Sequence, residues 1–212
     1  MRARRKSSAR PAREIAEEAV HLLRAAPVAA WGAYFLGAIP FCVGMIYFVN
    51  AMEVYAFAER ALPLYAALLT LLFVWMKAWQ ARFAQHLLGV LRGEAVSPWP
   101  LKAFLTTAYN QAVLQTTGLF LLPFAFLSMI LYVPAYGFYQ NVTALDAAGT
   151  RGTRELFTLA QREAFRWQRQ AYVLQWLLSP AFVLMLGTSM WFVPVLAASF
   201  GFAPSLLVAI AL

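Results

Sequence analysis

Between Thr106 and Thr117 the chain sets hydroxyls and amides into an otherwise apolar stretch. Thr107, Gln111 and Gln115 recur at i, i+4 and i+8, with Thr106, Asn110, Thr116 and Thr117 beside them. On a helix that spacing puts the groups on one face. A row of neutral donors and acceptors in hydrocarbon must face protein or water. It can bond a neighbouring helix, or it can line a path or groove for a ligand that hydrogen-bonds without charge. No ionisable residue accompanies the row, which suits ion conduction poorly. Thr107, Asn110, Gln111 and Gln115 are therefore the candidate polar stripe, with both uses open.

The remaining reactive side chains form no catalytic arrangement. His21 and His86 stand far apart, and neither has cysteine or acid at metal-ligand spacing. Glu14, Glu17 and Glu18 make one polar helix face, and Glu53 and Glu59 share a loop. Asp146 opens a turn with Ala-Ala-Gly, where its side chain can cap the backbone. The single cysteine, Cys42, lies among apolar residues and cannot form an internal disulfide. No phosphate loop, dinucleotide fingerprint or H-E-x-x-H is present. The expectation is a protein without catalytic residues, cofactor or metal.

The elements that must position the stripe follow from hydropathy. Ala103 to Leu145 and Gln170 to Leu212 are each forty-three residues without a charge. A soluble helix needs a charged face toward water, whereas a membrane span needs about 20 apolar residues, so each run holds two crossings. Hydrophobic residues make up 62% of the 212 and charged residues 12%, against about 25% charged in soluble domains. The fold class expected is all-α, a multi-pass transmembrane bundle of about six spans with basic amphipathic interfacial helices.

The net charge is +8, and placement decides what it means. Sixteen of the seventeen Lys and Arg precede the first span or lie near residues 77–102 and 151–169, leaving only Arg60 elsewhere. Cytoplasmic loops carry the basic excess, so one topology puts all sixteen on the inner side. That accounts for the charge without nucleic acid. It predicts a cytoplasmic N-terminus, with anionic headgroups and membrane or cytoplasmic proteins as partners.

Residues 1–12 read as a disordered basic tail, and 13–212 as a single transmembrane domain. Arg13 to Arg24 patterns as an amphipathic helix ended by Pro27. Spans are expected at about Val28–Val49, kinked at Pro40, and at Ala61–Trp79, where Lys77 can snorkel to the surface. Gly32, Gly37 and Gly44 offer flat places for a neighbouring helix. Residues 80–92 form a second amphipathic segment, broken by the Gly93–Pro100 stretch. Spans at Ala103–Leu122 and Phe124–Val142 follow, with an outer turn near Gly118–Pro123. Gln140, Asn141 and Thr143 then mark the membrane exit, and Asn141-Val-Thr143 at the inner face is discounted as a glycosylation acceptor. Residues 153–170 make a third amphipathic helix with an apolar stripe of Phe157, Ala160, Ala164 and Trp167. Its polar line includes Arg162, Arg166 and Arg169. With Arg154, these are the candidate contacts to anionic lipid or a partner. A fifth span near Tyr172–Phe192 and a sixth from Ser205 complete three interfacial-helix-plus-hairpin units, about 13–79, 80–145 and 151–212. Leu212 ends without an anchor, so the native chain is expected to continue.

Two stretches carry a resemblance: Glu17-Glu-Ala-Val-His-Leu-Leu-Arg-Ala-Ala-Pro27 before Trp31, and Phe138-Tyr-Gln-Asn-Val-Thr-Ala-Leu145 before the Arg-rich helix. They resemble an uncharacterised family of bacterial multi-pass inner-membrane proteins. More distantly, the Gly93–Pro100 break, the double span and the amphipathic segment after it are similar in layout to the membrane domain fused to some glycerophosphoryl diester phosphodiesterases. The resemblance implies a helical membrane domain and carries over no catalytic residue. The expected function is a non-enzymatic inner-membrane scaffold or accessory subunit of an envelope complex. The alternative is a transport or lipid-handling module using the stripe.

Overall fold

The computed structural model describes residues 11–54, 58–96, 98–127, 132–146, 149–166 and 168–199. Among them the chain forms seven helices and no strand: α1 Ala12–Arg24, α2 Val28–Val54, α3 Ala58–Arg92, α4 Leu101–Leu127, α5 Tyr132–Leu145, α6 Thr153–Arg166 and α7 Gln168–Ser199. The N-terminal tail through residue 10 and the sixth span from Ser205 lie outside the described residues.

Two helices, Val28–Met52 and Arg60–Arg92, are long and apolar enough to cross a membrane by length and composition. Their large side chains face outward: Ile39, Val43, Leu64 and Leu71 are all more than half exposed. Contiguous apolar surface on this scale marks contact with lipid or a partner rather than water. α1 ends where Ala25 N–H donates to the His21 carbonyl at 3.0 Å, just before Pro27, as the sequence predicts.

α2 and α3 pack along their length as a hairpin. Two glycines make this possible, because side chains of α3 occupy the place a Cβ would take. At Gly37 a Cβ would lie 2.7 Å from Trp79 Cβ and 3.1 Å from the Met76 carbonyl, and at Gly44 it would collide with Leu72. Gly32 has open space. Trp75 Nε1 donates to the Leu36 carbonyl at 3.0 Å, a second tie across the hairpin.

Three sequence expectations change. α3 does not stop near Trp79; it runs to Arg92 and includes the amphipathic segment. Lys77 accordingly lies inside the helix rather than near its end, its ammonium 5.7 Å from the Phe73 ring centre. α4 runs unbroken through Gly118 and Pro123, where an outer turn was expected. The glycine there serves approach, not a turn, since a Cβ on Gly118 would meet the Tyr139 ring at 3.1–3.3 Å. α6 buries Leu156, Ala160 and Ala164, closing a small core with Leu114 of α4 and Val142 of α5. Its apolar stripe thus packs on α5, while Phe157 remains half exposed against Phe138.

Candidate functional site

The four stripe residues of α4 come together, and all are buried: Thr107 and Gln111 at 0%, Asn110 at 1% and Gln115 at 6% exposure. They face α5 and the turn after it. Asn110 Nδ2 donates to Asp146 Oδ1 at 3.0 Å and lies 3.1 Å from the Arg151 carbonyl. Gln111 Nε2 donates to Asp146 Oδ2 at 3.1 Å. The Thr107 hydroxyl donates to the Asp146 backbone carbonyl at 3.4 Å. One turn deeper, Gln115 Nε2 lies 3.1 Å from both the Tyr139 carbonyl and Thr143 Oγ1.

The amide orientations are fixed by their other halves. Asn110 Oδ1 accepts from the Thr153 hydroxyl at 2.7 Å, and Gln111 Oε1 accepts from Gln115 Nε2 at 3.2 Å and lies 3.3 Å from Thr143 Oγ1. Both halves of the Asn110 and Gln111 amides, and the Gln115 NH2, therefore have partners, as burial demands.

A carboxylate at the centre corrects the expectation that no ionisable residue accompanies the stripe. Asp146 is 1% exposed. Its backbone opens the anticipated turn, with Gly149 N–H donating to the Asp146 carbonyl at 3.0 Å. Its side chain accepts from two amides of α4, and the backbone of residues 147 and 148 that it was expected to cap lies outside the described residues. Thr143, Tyr139, Arg151 and Thr153 were also missed as members. One signal was available: a two-span hairpin returns residue 146 to the level where the stripe begins.

Burial pushes the Asp146 carboxyl up to about 6, against the bonds from Asn110 and Gln111 and the nearby charge of Arg151, which act to lower it. The folded chain thus holds this proton to higher pH than the unfolded chain, whose value is near 3.8. Stability from this group is then greatest at acid pH and falls as pH rises from about 4 to about 6, by about 2–3 kcal/mol, with no further change above. Unfolding in detergent micelles at several pH values should show this slope, and Asp146→Asn should remove it. An equal slope in that variant would assign it to other groups.

Chemically, the arrangement binds helices. Both carboxylate oxygens accept from amides, and among the described residues no group of three His, Cys, Asp or Glu could hold a metal. Arg154, Arg162 and Arg166 on α6 and Arg169 in the first turn of α7 are exposed and are not gathered at this network. Arg166 pairs with Glu163 at 3.4 Å. Asn141, of the discounted glycosylation pattern, donates from its side chain to the Ala160 carbonyl at 3.4 Å. No family model matches the chain, and no curated protein or solved structure matches it.

Proposed function

We propose that the protein is a non-enzymatic, multi-pass component of the inner membrane, a scaffold or accessory subunit of an envelope complex. One observation carries this reading: the polar stripe, the feature best suited to a transport path, spends its amides on interhelical bonds and is 0–6% exposed. The surface offered to partners is the exposed basic face of α6 and the start of α7.

The experiment that tests it replaces Thr107, Gln111 and Gln115 by Val or Leu. If the row only joins helices, stability should fall by about 2 kcal/mol, because interhelical bonds in membranes are individually modest, while a variant that still inserts should complement a deletion strain fully. Normal insertion with lost phenotype would favour transport or lipid handling. Gln115→Leu alone provides a milder form of the same comparison.

The six-span topology with a cytoplasmic N-terminus belongs to this proposal and rests on the sixteen-to-one basic asymmetry. In a Cys42→Ala background, an impermeant maleimide added outside should label a cysteine at position 56 and not one at Thr158. The reverse pattern would invert the topology.

A further inference from the structure

Apart from the buried network, one cavity sets cationic side chains over an apolar floor. It lies between the last turn of α3, the segment after it and the turn joining α5 to α6. It encloses about 320 Å³ and is walled by Arg92, Arg151, Gln85 and Glu94 above Leu88 and Val96.

Its shape is fixed by the backbone. Gly93 has φ +65° and donates to the Val90 carbonyl at 3.3 Å, while Glu94 N–H donates to the Gly89 carbonyl at 3.0 Å. This pair of bonds closes α3 through a left-handed glycine. A Cβ on Gly89 would stand 2.9 Å from Val96 Cγ2, so glycine lets the outgoing strand of chain lie on the helix. On the facing side, Arg151 donates to the Leu145 carbonyl and has Nε 3.8 Å from Glu155. Arg92 has no hydrogen-bond or ion-pair partner among the described residues.

Depth is marked independently. Trp79 and Trp99 have ring centres 5.4 Å apart, Trp75 and Phe104 extend the cluster, and the Arg82 guanidinium lies 5.5 Å from the Trp99 ring while bonded to Gln85. Tryptophans gather at the headgroup level, and Gln85 connects this cluster to the cavity wall. Basic pockets between membrane helices at that level bind lipid headgroups.

We propose that this cavity binds the phosphodiester of a glycerophospholipid, with Arg92 and Arg151 contacting the phosphate and the lipid's glycerol end resting on Leu88 and Val96. Counting Arg82, bonded to Gln85 in the wall, and Glu155, beside Arg151, three arginines and two glutamates leave a single positive charge, which matches a monoanionic phosphodiester better than dianionic inorganic phosphate. The apolar floor favours the lipid for the same reason. The inference rests on the membrane reading above.

The test is native mass spectrometry of the detergent-purified protein with added phosphatidylglycerol. The wild type should retain one lipid, should not retain diacylglycerol, and should not lose the lipid to millimolar inorganic phosphate. Arg92→Gln, which breaks no hydrogen bond or ion pair among the described residues, should weaken retention about fivefold, the worth of one surface cation. Ala95→Phe, which narrows the cavity without changing charge, should also weaken it. Arg13→Gln with Arg24→Gln, both exposed on α1 and outside the cavity, should leave it unchanged. Unchanged retention in Arg92→Gln, equal loss in the control pair, or displacement by free phosphate would each overturn the site. Failure of the membrane reading would appear separately, as release of the protein from membranes by an alkaline carbonate wash.

Discussion

Asp146→Leu should destabilise the packing of α4 on α5 by about 3 kcal/mol, because two buried amides lose their acceptor and an unsatisfied buried donor costs about 1–3 kcal/mol. Relief of the carboxylate's own desolvation offsets part of that loss. Asn110 and Gln111 cannot turn to compensate, since their carbonyl oxygens already accept from Thr153 and from Gln115. Asp146→Asn should be far milder, within about 1 kcal/mol of the wild type, because it keeps one acceptor and removes the buried charge. Denaturant or detergent unfolding followed by helical circular dichroism measures both. Equal losses for Leu and Asn would mean that the charge, not the bonding, is what the fold needs at this position.

The second large effect belongs to Gly149. Its φ is +59°, and a Cβ there would collide with the Ala103 carbonyl oxygen, 2.9 Å from its carbon and 3.0 Å from Ala103 Cα. These are backbone atoms of α4, which cannot swing aside as the end of a side chain can. Left-handed backbone costs an L-residue about 1–2 kcal/mol and overpacking a further 1–3 kcal/mol or so. Gly149→Ala should therefore cost about 3 kcal/mol, and Gly149→Val more, as a β-branched residue tolerates positive φ least. Gly152→Ala, with open space around it, should change stability little. If Gly149→Ala matched Gly152→Ala, the α5–α6 turn would not be seated on α4.

Both effects arise in one turn, and the sequence half reveals it. The Asp-Ala-Ala-Gly turn is plain from its residue types, and the stripe on α4 is plain from its period. Their meeting is not, because nothing local to Asp146 says that an amide thirty-five residues away will take its carboxylate. Hydropathy placed α2 and the body of α3 because lipid-facing helices need only length and apolar composition. Helix ends were less legible. The Gly118–Pro123 pair has turn residues, but in apolar surroundings Gly118 marks where Tyr139 approaches, and Pro is tolerated where neighbours satisfy the backbone. The rotation of α6 was read from its Phe157 stripe, whereas the buried line is Leu156, Ala160 and Ala164. With alanines and aromatics on adjacent faces, packing on α5 selects the flatter one.

The central claim is that Asp146 locks α5 to α4 through Gln111 inside a structural, not a conducting, stripe. A double-mutant cycle on Gln111→Leu and Asp146→Leu, with unfolding measured in bicelles, tests it most directly. Groups that bond in one network couple by about 0.5–3 kcal/mol. The expected result is a coupling of about 1–2 kcal/mol, the double variant being less damaged than the sum of the singles. Losses that add to within about 0.5 kcal/mol would show that the two side chains act independently, and the lock would have to be abandoned.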